Sequence, residues 1–143
     1  MLCVFFGHRD APSAVREALR CEIVNLIETE GVLEFIVGNN GNFDFLVQEV
    51  LKEITEEKPH VSCAVMLSRI DERALCGDQR MTVFPEGLER TPPRFAIARR
   101  NDLMLKHATH VVAYVKHTPS YSANFVRKAE RKGISVINLA VTP

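Results

Sequence analysis

The sequence carries no net charge, because its 18 lysines and arginines are balanced by 18 aspartates and glutamates. A neutral domain has no general electrostatic attraction for DNA, RNA or an anionic membrane. Aromatic residues make up only 7% of the chain, and they do not form the stacking platform on which single-stranded nucleic acid is bound. These absences argue against both a nucleic-acid partner and a membrane partner.

The chain also lacks long hydrophobic runs and cysteine motifs. The apolar run from Met1 to Phe6 is too short to span a bilayer or to form a secretory core, and no basic segment precedes it. We therefore expect a cytoplasmic protein. The cysteines, Cys3, Cys21, Cys63 and Cys76, are far apart and lack the Cys-x-x-Cys or histidine spacing of zinc sites, so we expect plain thiols and no metal.

What the sequence does contain is an alternation of short apolar runs with helical periodicities. Short apolar runs that stop at glycine or polar residues are typical of strands buried on both faces of a sheet. The runs lie at residues 2–6, 32–37, 61–67, 81–84, 111–115 and 135–139, and the helical patterns at residues 14–30, 43–54, 94–108 and 122–132. Right-handed crossovers between such strands produce a parallel sheet. We predict a single domain over residues 1–143, an α/β Rossmann-like three-layer sandwich with a mostly parallel sheet of about five to six strands.

The middle of the chain, residues 68–93, has mixed charge and three prolines and reads mostly as loop. A long irregular segment within a compact domain is uncommon unless it covers a site or packs against a partner subunit. We predict that it covers the ligand site.

Three loops that follow predicted strands carry the residues best suited to hold a ligand. In open parallel sheets ligands bind beyond the carboxyl ends of the strands. Each loop also leads into a helix N-terminus, where free N–H groups and the helix dipole favour an anion such as phosphate. The loops read Gly7-His8-Arg9-Asp10, then Gly38-Asn39-Asn40-Gly41-Asn42-Phe43-Asp44, then Lys116-His117-Thr118-Pro119-Ser120-Tyr121-Ser122.

The second of these loops leaves two interpretations open. Gly38 and Gly41 would let the backbone approach a ligand closely, or they would only turn the strand into the helix. Asp44 would accept a hydrogen bond from a ribose hydroxyl or cap the helix.

Arg9 directly follows a buried strand and suits bidentate recognition of phosphate. The alternative is an internal salt bridge to Glu86. His8 beside it is either a ligand contact or a packed or capping histidine.

Further cations open the third predicted helix. Arg94, Arg99 and Arg100 lie where the helix dipole opposes positive charge, so they require an anionic partner, either a ligand or a protein. Asn101 falls on the apolar face of the helix, so its burial would require a hydrogen bond to backbone or ligand.

Motifs spread along nearly the whole chain also suggest a family. They are Phe6-Gly7-His8-Arg9; Gly38 to Asp44; Pro85-Glu86-Gly87-Leu88-Glu89 through Arg94-Phe95-Ala96-Ile97 to Arg100-Asn101; Val112-Ala113-Tyr114-Val115; and Lys132 to Leu139. Together they resemble the small stand-alone SLOG proteins of bacteria and their phages. That superfamily has a Rossmann-like fold and includes the Lonely Guy phosphoribohydrolases, the DprA DNA-processing proteins and sensor domains for nucleotide-derived signals. The resemblance implies a nucleotide-sized pocket.

The resemblance extends less clearly to catalysis. In Lonely Guy enzymes a glycine-rich phosphate loop is followed by a catalytic glutamate, whereas residues 116–124 here contain neither glycine nor glutamate. Arg100 matches the position of that family's catalytic arginine, but its partner is missing. An enzyme would need another acid to protonate a leaving base, and the candidates are Glu86, Asp44 and Asp10.

Three hypotheses for function follow. The leading one is a binding module, sensor or sequestering, for a nucleotide or a nucleotide-derived ligand such as an ADP-ribose-like molecule, with no cofactor. The second is a nucleosidase or nucleotide phosphoribohydrolase, with Glu86 and Arg100 as candidate catalytic residues. The third is an assembly subunit, and a homo-oligomer is expected in any case. The predicted ligand-binding residues are Gly7, His8, Arg9, Gly38, Asn39, Gly41, Asp44, Arg94, Arg100, Asn101, His117, Ser120 and Ser122.

Overall fold

The computed structural model describes residues 1–68, 81–85 and 87–140. Its strands are β1 (Leu2–Gly7), β2 (Glu34–Val37), β3 (Ser62–Met66), β4 (Met81–Val83), β5 (His110–Tyr114) and β6 (Ser135–Asn138). Its helices are α1 (Val15–Glu30), α2 (Asn42–Glu57), α3 (Pro93–Leu105) and α4 (Tyr121–Arg131), with a short 3-10 helix at Leu88–Arg90. Each predicted segment overlaps the corresponding observed element.

The strands form one six-stranded sheet in the order β4-β3-β2-β1-β5-β6, and every pair of neighbours is parallel. The chain first moves outward from β1 to β4 and then returns to the other side of β1 to add β5 and β6. The carboxyl ends of β1 and β5 therefore meet at the topological switch point, where Gly7 pairs with Tyr114. The predicted α/β Rossmann-like fold is confirmed.

Helices cover both faces of the sheet and make three layers. α1 and α2 pack on one face and α3 and α4 on the other, each pair with its own buried apolar cluster. Adjacent residues of β1 point into different clusters: Phe5 stacks on Phe35 and Phe6 stacks on Phe125. Burial on both faces explains why β1 is a continuous apolar run rather than an alternating one.

The described residues 81–85 and 87–93 of the middle segment contain a short strand and a 3-10 helix. β4 extends the sheet at its edge, and the 3-10 helix leads into α3, which has a proline in its first turn. Residues 69–80 and Glu86 lie outside the described residues. In the part of the chain that is described, no helix has the length and apolar character needed to cross a bilayer.

Candidate functional site

A cavity of about 400 Å³ opens at the topological switch point, beyond the carboxyl ends of β1 and β5. We call it the first lobe, and its volume lies in the range of small-molecule sites. Nine of the predicted ligand-binding residues line it: Gly7, His8, Arg9, Asp44, Arg94, Arg100, Asn101, Ser120 and Ser122. The lining residues absent from that prediction are Phe5, Phe6, Asn40, Ile97, Ala98 and Tyr121. Gly38, Asn39, Gly41 and His117 do not line it.

Arg100 is the most deeply buried cation of the first lobe, with only 3% of its surface exposed. Its Nε and Nη2 donate to Asn101 Oδ1 at 3.2 and 2.9 Å, and its Nη1 donates to Asn40 Oδ1 at 2.5 Å and to Asn39 Oδ1 at 3.3 Å. Asn101 is buried, and its side-chain oxygen accepts hydrogen bonds from the Arg100 side chain, a partner not considered from the sequence.

The hydrogen-bond partners of the Arg100 guanidinium among the described residues are all neutral amides. Burial lowers the pKa of Arg100. The nearby Asp44 carboxyl raises this pKa, and the positive charge of Arg9 lowers it further. The amides hold the guanidinium in place, and the Asp44 carboxyl is the nearby group of opposite charge. Three arginines line the first lobe against this one carboxyl, so the lining has an excess of positive charge.

Asp44 is also buried, and it lines the same lobe. Burial raises its pKa to about 6, against the opposing effects of Arg100, the backbone hydrogen bond from Asn40 and Arg9. Its Oδ2 accepts that bond from Asn40 N–H at 2.9 Å. The N-cap of α2 is Gly41, and Asp44 lies in the first turn, where this bond ties the preceding loop to the start of the helix.

The glycines of the site make room for protein side chains. A Cβ on Gly38 would lie 2.6 Å from Arg100 Cζ, and a Cβ on Gly41 would lie 2.6 Å from Arg9 Cα. Gly41 also has φ of 94°, a conformation that favours glycine. The two glycines therefore allow the backbone of this loop to lie close to Arg100 and Arg9.

His8 holds the loop between β5 and α4. Its Nε2 accepts hydrogen bonds from the backbone N–H groups of Lys116, at 2.8 Å, and His117, at 3.1 Å. This ring nitrogen must be unprotonated to accept, which places the proton of the neutral ring on Nδ1. The rings of His8 and His117 stack with centroids 5.1 Å apart, and Tyr114 meets His8 edge-on. Burial, and secondarily the charge of His117, lowers the pKa of His8.

The N-terminus of α4 forms another wall of the first lobe. Ser120 is its N-cap and accepts from Ala123 N–H at 3.0 Å through Oγ. That leaves the hydroxyl hydrogen of Ser120 and the first-turn N–H groups of Tyr121 and Ser122 as donors for a ligand. No group of three or more His, Cys, Asp or Glu residues suited to a metal ion occurs in the described ranges.

Comparison with known proteins supports the fold. The chain is similar to the X-ray structure of DNA processing protein A (DprA) from Streptococcus pneumoniae, with a TM-score of 0.69 and 14% sequence identity. The match covers 94% of this chain and 48% of that chain, so this chain spans about half of that protein's length. No protein-family model and no curated protein matches the sequence. A DprA-like Rossmann fold is therefore confirmed, and membership of the stand-alone SLOG branch stays a prediction.

Proposed function

We propose that the chain binds a nucleotide or nucleotide-derived ligand in the first lobe, as a sensor or sequestering module, with a phosphate at the N-terminus of α4. The observation that carries this proposal is an excess of positive charge in one cavity, where buried Arg100 and two further arginines, Arg9 and Arg94, lie with that helix end against one carboxyl, Asp44. A buried cation is costly unless it is paired. The helix N-terminus adds further positive potential. An anionic ligand offsets both the charge of the arginines and the positive potential of the helix N-terminus.

The remaining groups of the lobe fit the other parts of a nucleotide. Arg9 and Arg94 are exposed residues at its edge and suit phosphate oxygens. Asp44 lies deeper and is an acceptor for a ribose hydroxyl. The fold is shared with a DNA-processing protein, but the neutral charge of this chain and the size of the cavity favour a small ligand over a polymer.

Isothermal titration calorimetry with AMP and with ADP-ribose tests the proposal, using two variants of α3. Arg94 and Arg99 are both exposed, but only Arg94 lines the lobe. We expect Arg94→Ala to weaken binding roughly tenfold, the effect of one charge-assisted hydrogen bond, and Arg99→Ala to leave it unchanged. Absence of binding to the wild-type protein, or equal effects of the two variants, would contradict the proposal.

A second candidate function is hydrolysis of the N-glycosidic bond of a nucleotide. Of the three carboxylates considered from the sequence, Glu86 lies outside the described residues and Asp10 is exposed and does not line the lobe, whereas Asp44 is buried in it. A carboxyl with a pKa of about 6 is suited to protonate a leaving base. Release of adenine from AMP, abolished by Asp44→Asn, would favour this function over simple binding.

A further inference from the structure

A second cavity, of about 560 Å³, lies beside the first. We call it the second lobe. Its walls come from Ser68 after β3, Phe84 after β4, Leu88 and Glu89 of the 3-10 helix, Thr91 after that helix, and Pro93 and Ala96 at the start of α3. It lies over the half of the sheet away from α4, so it is separate from the place proposed for the phosphate.

The two lobes adjoin, because Arg9, Asn40 and Ile97 line both. The Asn40 side chain stands at the junction. Its Oδ1 accepts from Arg100 Nη1 on the side of the first lobe and accepts from Ser68 Oγ at 3.5 Å on the side of the second lobe. A ligand longer than a single phosphate or sugar would pass this junction and enter the second lobe.

The lobes differ in chemistry. The first lobe is lined by three arginines and the N-terminus of α4. The second lobe shares only Arg9 of these and also contains the exposed Glu89, and one of its walls is apolar, built from Phe84, Leu88, Pro93 and Ala96. Leu88 and Ala96 are 3% and 8% exposed, so this wall is part of the packed protein. Hydroxyls of Ser68 and Thr91 stand among the apolar side chains. An apolar wall with a few polar groups suits a flat heteroaromatic ring, whose faces are apolar and whose edges form hydrogen bonds.

Building on the proposed function, we propose that the second lobe is the nucleobase subsite. A nucleoside 5′-phosphate then lies across the junction, with its phosphate at α4, its ribose beside Arg9 and Asn40, and its base against Phe84, Leu88 and Ala96. The competing position for the base is the side chain of Tyr121, which is 73% exposed at the edge of the first lobe.

Photolabelling of the wild-type protein with 8-azido-AMP separates these positions without any variant. Labelling at Phe84, Leu88, Pro93 or Ala96, which line only the second lobe, supports the base subsite there if excess AMP protects against it. Labelled residues around Tyr121 overturn it. Labelling that excess AMP does not reduce also overturns it, since the probe then reports no specific site.

Calorimetry with AMP and with ribose 5-phosphate gives a second test. We expect wild-type protein to bind AMP roughly tenfold more tightly, because ribose 5-phosphate lacks the base. Ala96→Leu, which fills the second lobe, should remove that difference and leave ribose 5-phosphate binding intact. Arg99→Leu is the control, since Arg99 also lies in α3, is exposed and lines neither lobe.

The outcomes distinguish this inference from the proposed function. Equal affinities for AMP and ribose 5-phosphate, or an Ala96→Leu variant that binds both more weakly, would overturn the base subsite and leave the phosphate site standing. Failure of the wild-type protein to bind either compound would overturn the proposed function itself.

Discussion

Gly38 shows how one missing side chain shapes the site. Its Cα faces the Arg100 guanidinium, and an added Cβ would lie 2.6 Å from Cζ. Arg100 cannot move aside freely, because three asparagine oxygens hold it. We predict that Gly38→Ala weakens AMP binding at least tenfold and lowers the melting temperature, measured by calorimetry and thermal unfolding.

Gly133→Ala is the matched control for that variant. Gly133 has φ of 78° but nothing within 4 Å of the added Cβ, so the substitution costs about 1 kcal/mol of backbone strain without touching the site. We expect lower stability and unchanged AMP binding. Loss of AMP binding in Gly133→Ala, or its retention in Gly38→Ala, would contradict the role given to Gly38.

The Asp44 carboxyl makes stability depend on pH. Its pKa in the folded protein is about 6, against 3.8 for the unperturbed group, so between these values the folded state binds more protons than the unfolded state. Wild-type stability should therefore fall, relative to Asp44→Asn, as the pH rises from 4 to 7. A shift of about two pKa units corresponds to about 3 kcal/mol. Urea unfolding of both proteins at several pH values measures this difference, and parallel pH profiles would contradict it.

Much of the site could be predicted at the residue scale, and the exceptions have a common cause. The rule that ligands bind beyond the carboxyl ends of parallel strands selected six of the residues that line the first lobe, and the polar residues at the start of the third predicted helix supplied Arg94, Arg100 and Asn101. It also selected Gly38 and Asn39, which instead accommodate and hold Arg100, and it passed over Asn40, which lines the lobe. Arg100 lies 60 positions after Asn40, so the local pattern of glycines and asparagines could not reveal which partner approaches it.

The loop between β5 and α4 is the element on which the anion site depends. Two of its backbone N–H groups donate to His8 Nε2 and hold the loop in place. Protonation of Nε2 would remove this acceptor, and the new N–H group would then repel the two backbone N–H groups. The groups that face this ring are Tyr114, His117 and Asp10, of which His117 lowers the pKa of His8 and Asp10 raises it.

The His8 pKa lies below its ordinary value of 6.5 in the folded protein, so the unfolded state takes up the proton first as the pH falls. Stability from this contact is therefore present above pH 6.5 and is lost as the pH falls below it. We predict that His8→Gln, which keeps an acceptor but does not titrate, removes this part of the pH dependence of unfolding and of AMP binding. Chemical unfolding between pH 5 and 8 measures it; an identical pH profile for both proteins would contradict the prediction.

The elements themselves were predictable where burial alone decides them. The strands of the sheet centre appear as apolar runs because both faces are covered, and α1 ends at Gly31, whose φ of 71° closes the helix. The first residue of α4 was harder to predict from the sequence. The sequence prediction began the helix at Ser122, whereas Ser120 is the N-cap and the helix begins at Tyr121. Several hydroxyl residues in a row can each act as a cap, and only the path of the preceding loop selects one.

At the scale of the whole molecule, the order of the strands places the site. One reversal of the chain, after β4, brings the ends of β1 and β5 together and leaves α3 to close the cavity from the opposite layer. The sequence predicted this sheet because four of the six apolar runs are followed by a helix-length periodicity. The arrangement of the two lobes could not be predicted from the sequence, since it depends on how the start of α3 packs over the ends of β3 and β4.

Among the described residues, three aromatic side chains are more than half exposed: Tyr121 at the first lobe, and Phe45 and Phe95, which line neither lobe. We propose that the chain forms a homo-oligomer through one of the two phenylalanines. Phe45 of α2 is 52% exposed and Phe95 of α3 is 51% exposed, on opposite faces of the sheet. Light scattering should give a multiple of 16.1 kDa, reduced by either Phe45→Asp or Phe95→Asp. A mass of 16.1 kDa for the wild-type protein would contradict this.

The measurement that tests the central claim most directly is native mass spectrometry of the wild-type protein. The protein is incubated with nucleotides, NAD and ADP-ribose derivatives, and the supernatant is analysed for free base. The structure predicts a retained, chemically unchanged nucleotide that is lost in Arg94→Ala and kept in Arg99→Ala. Free base or ribose phosphate in the supernatant would instead identify a hydrolase, and the absence of any complex across the series would contradict nucleotide binding at the first lobe.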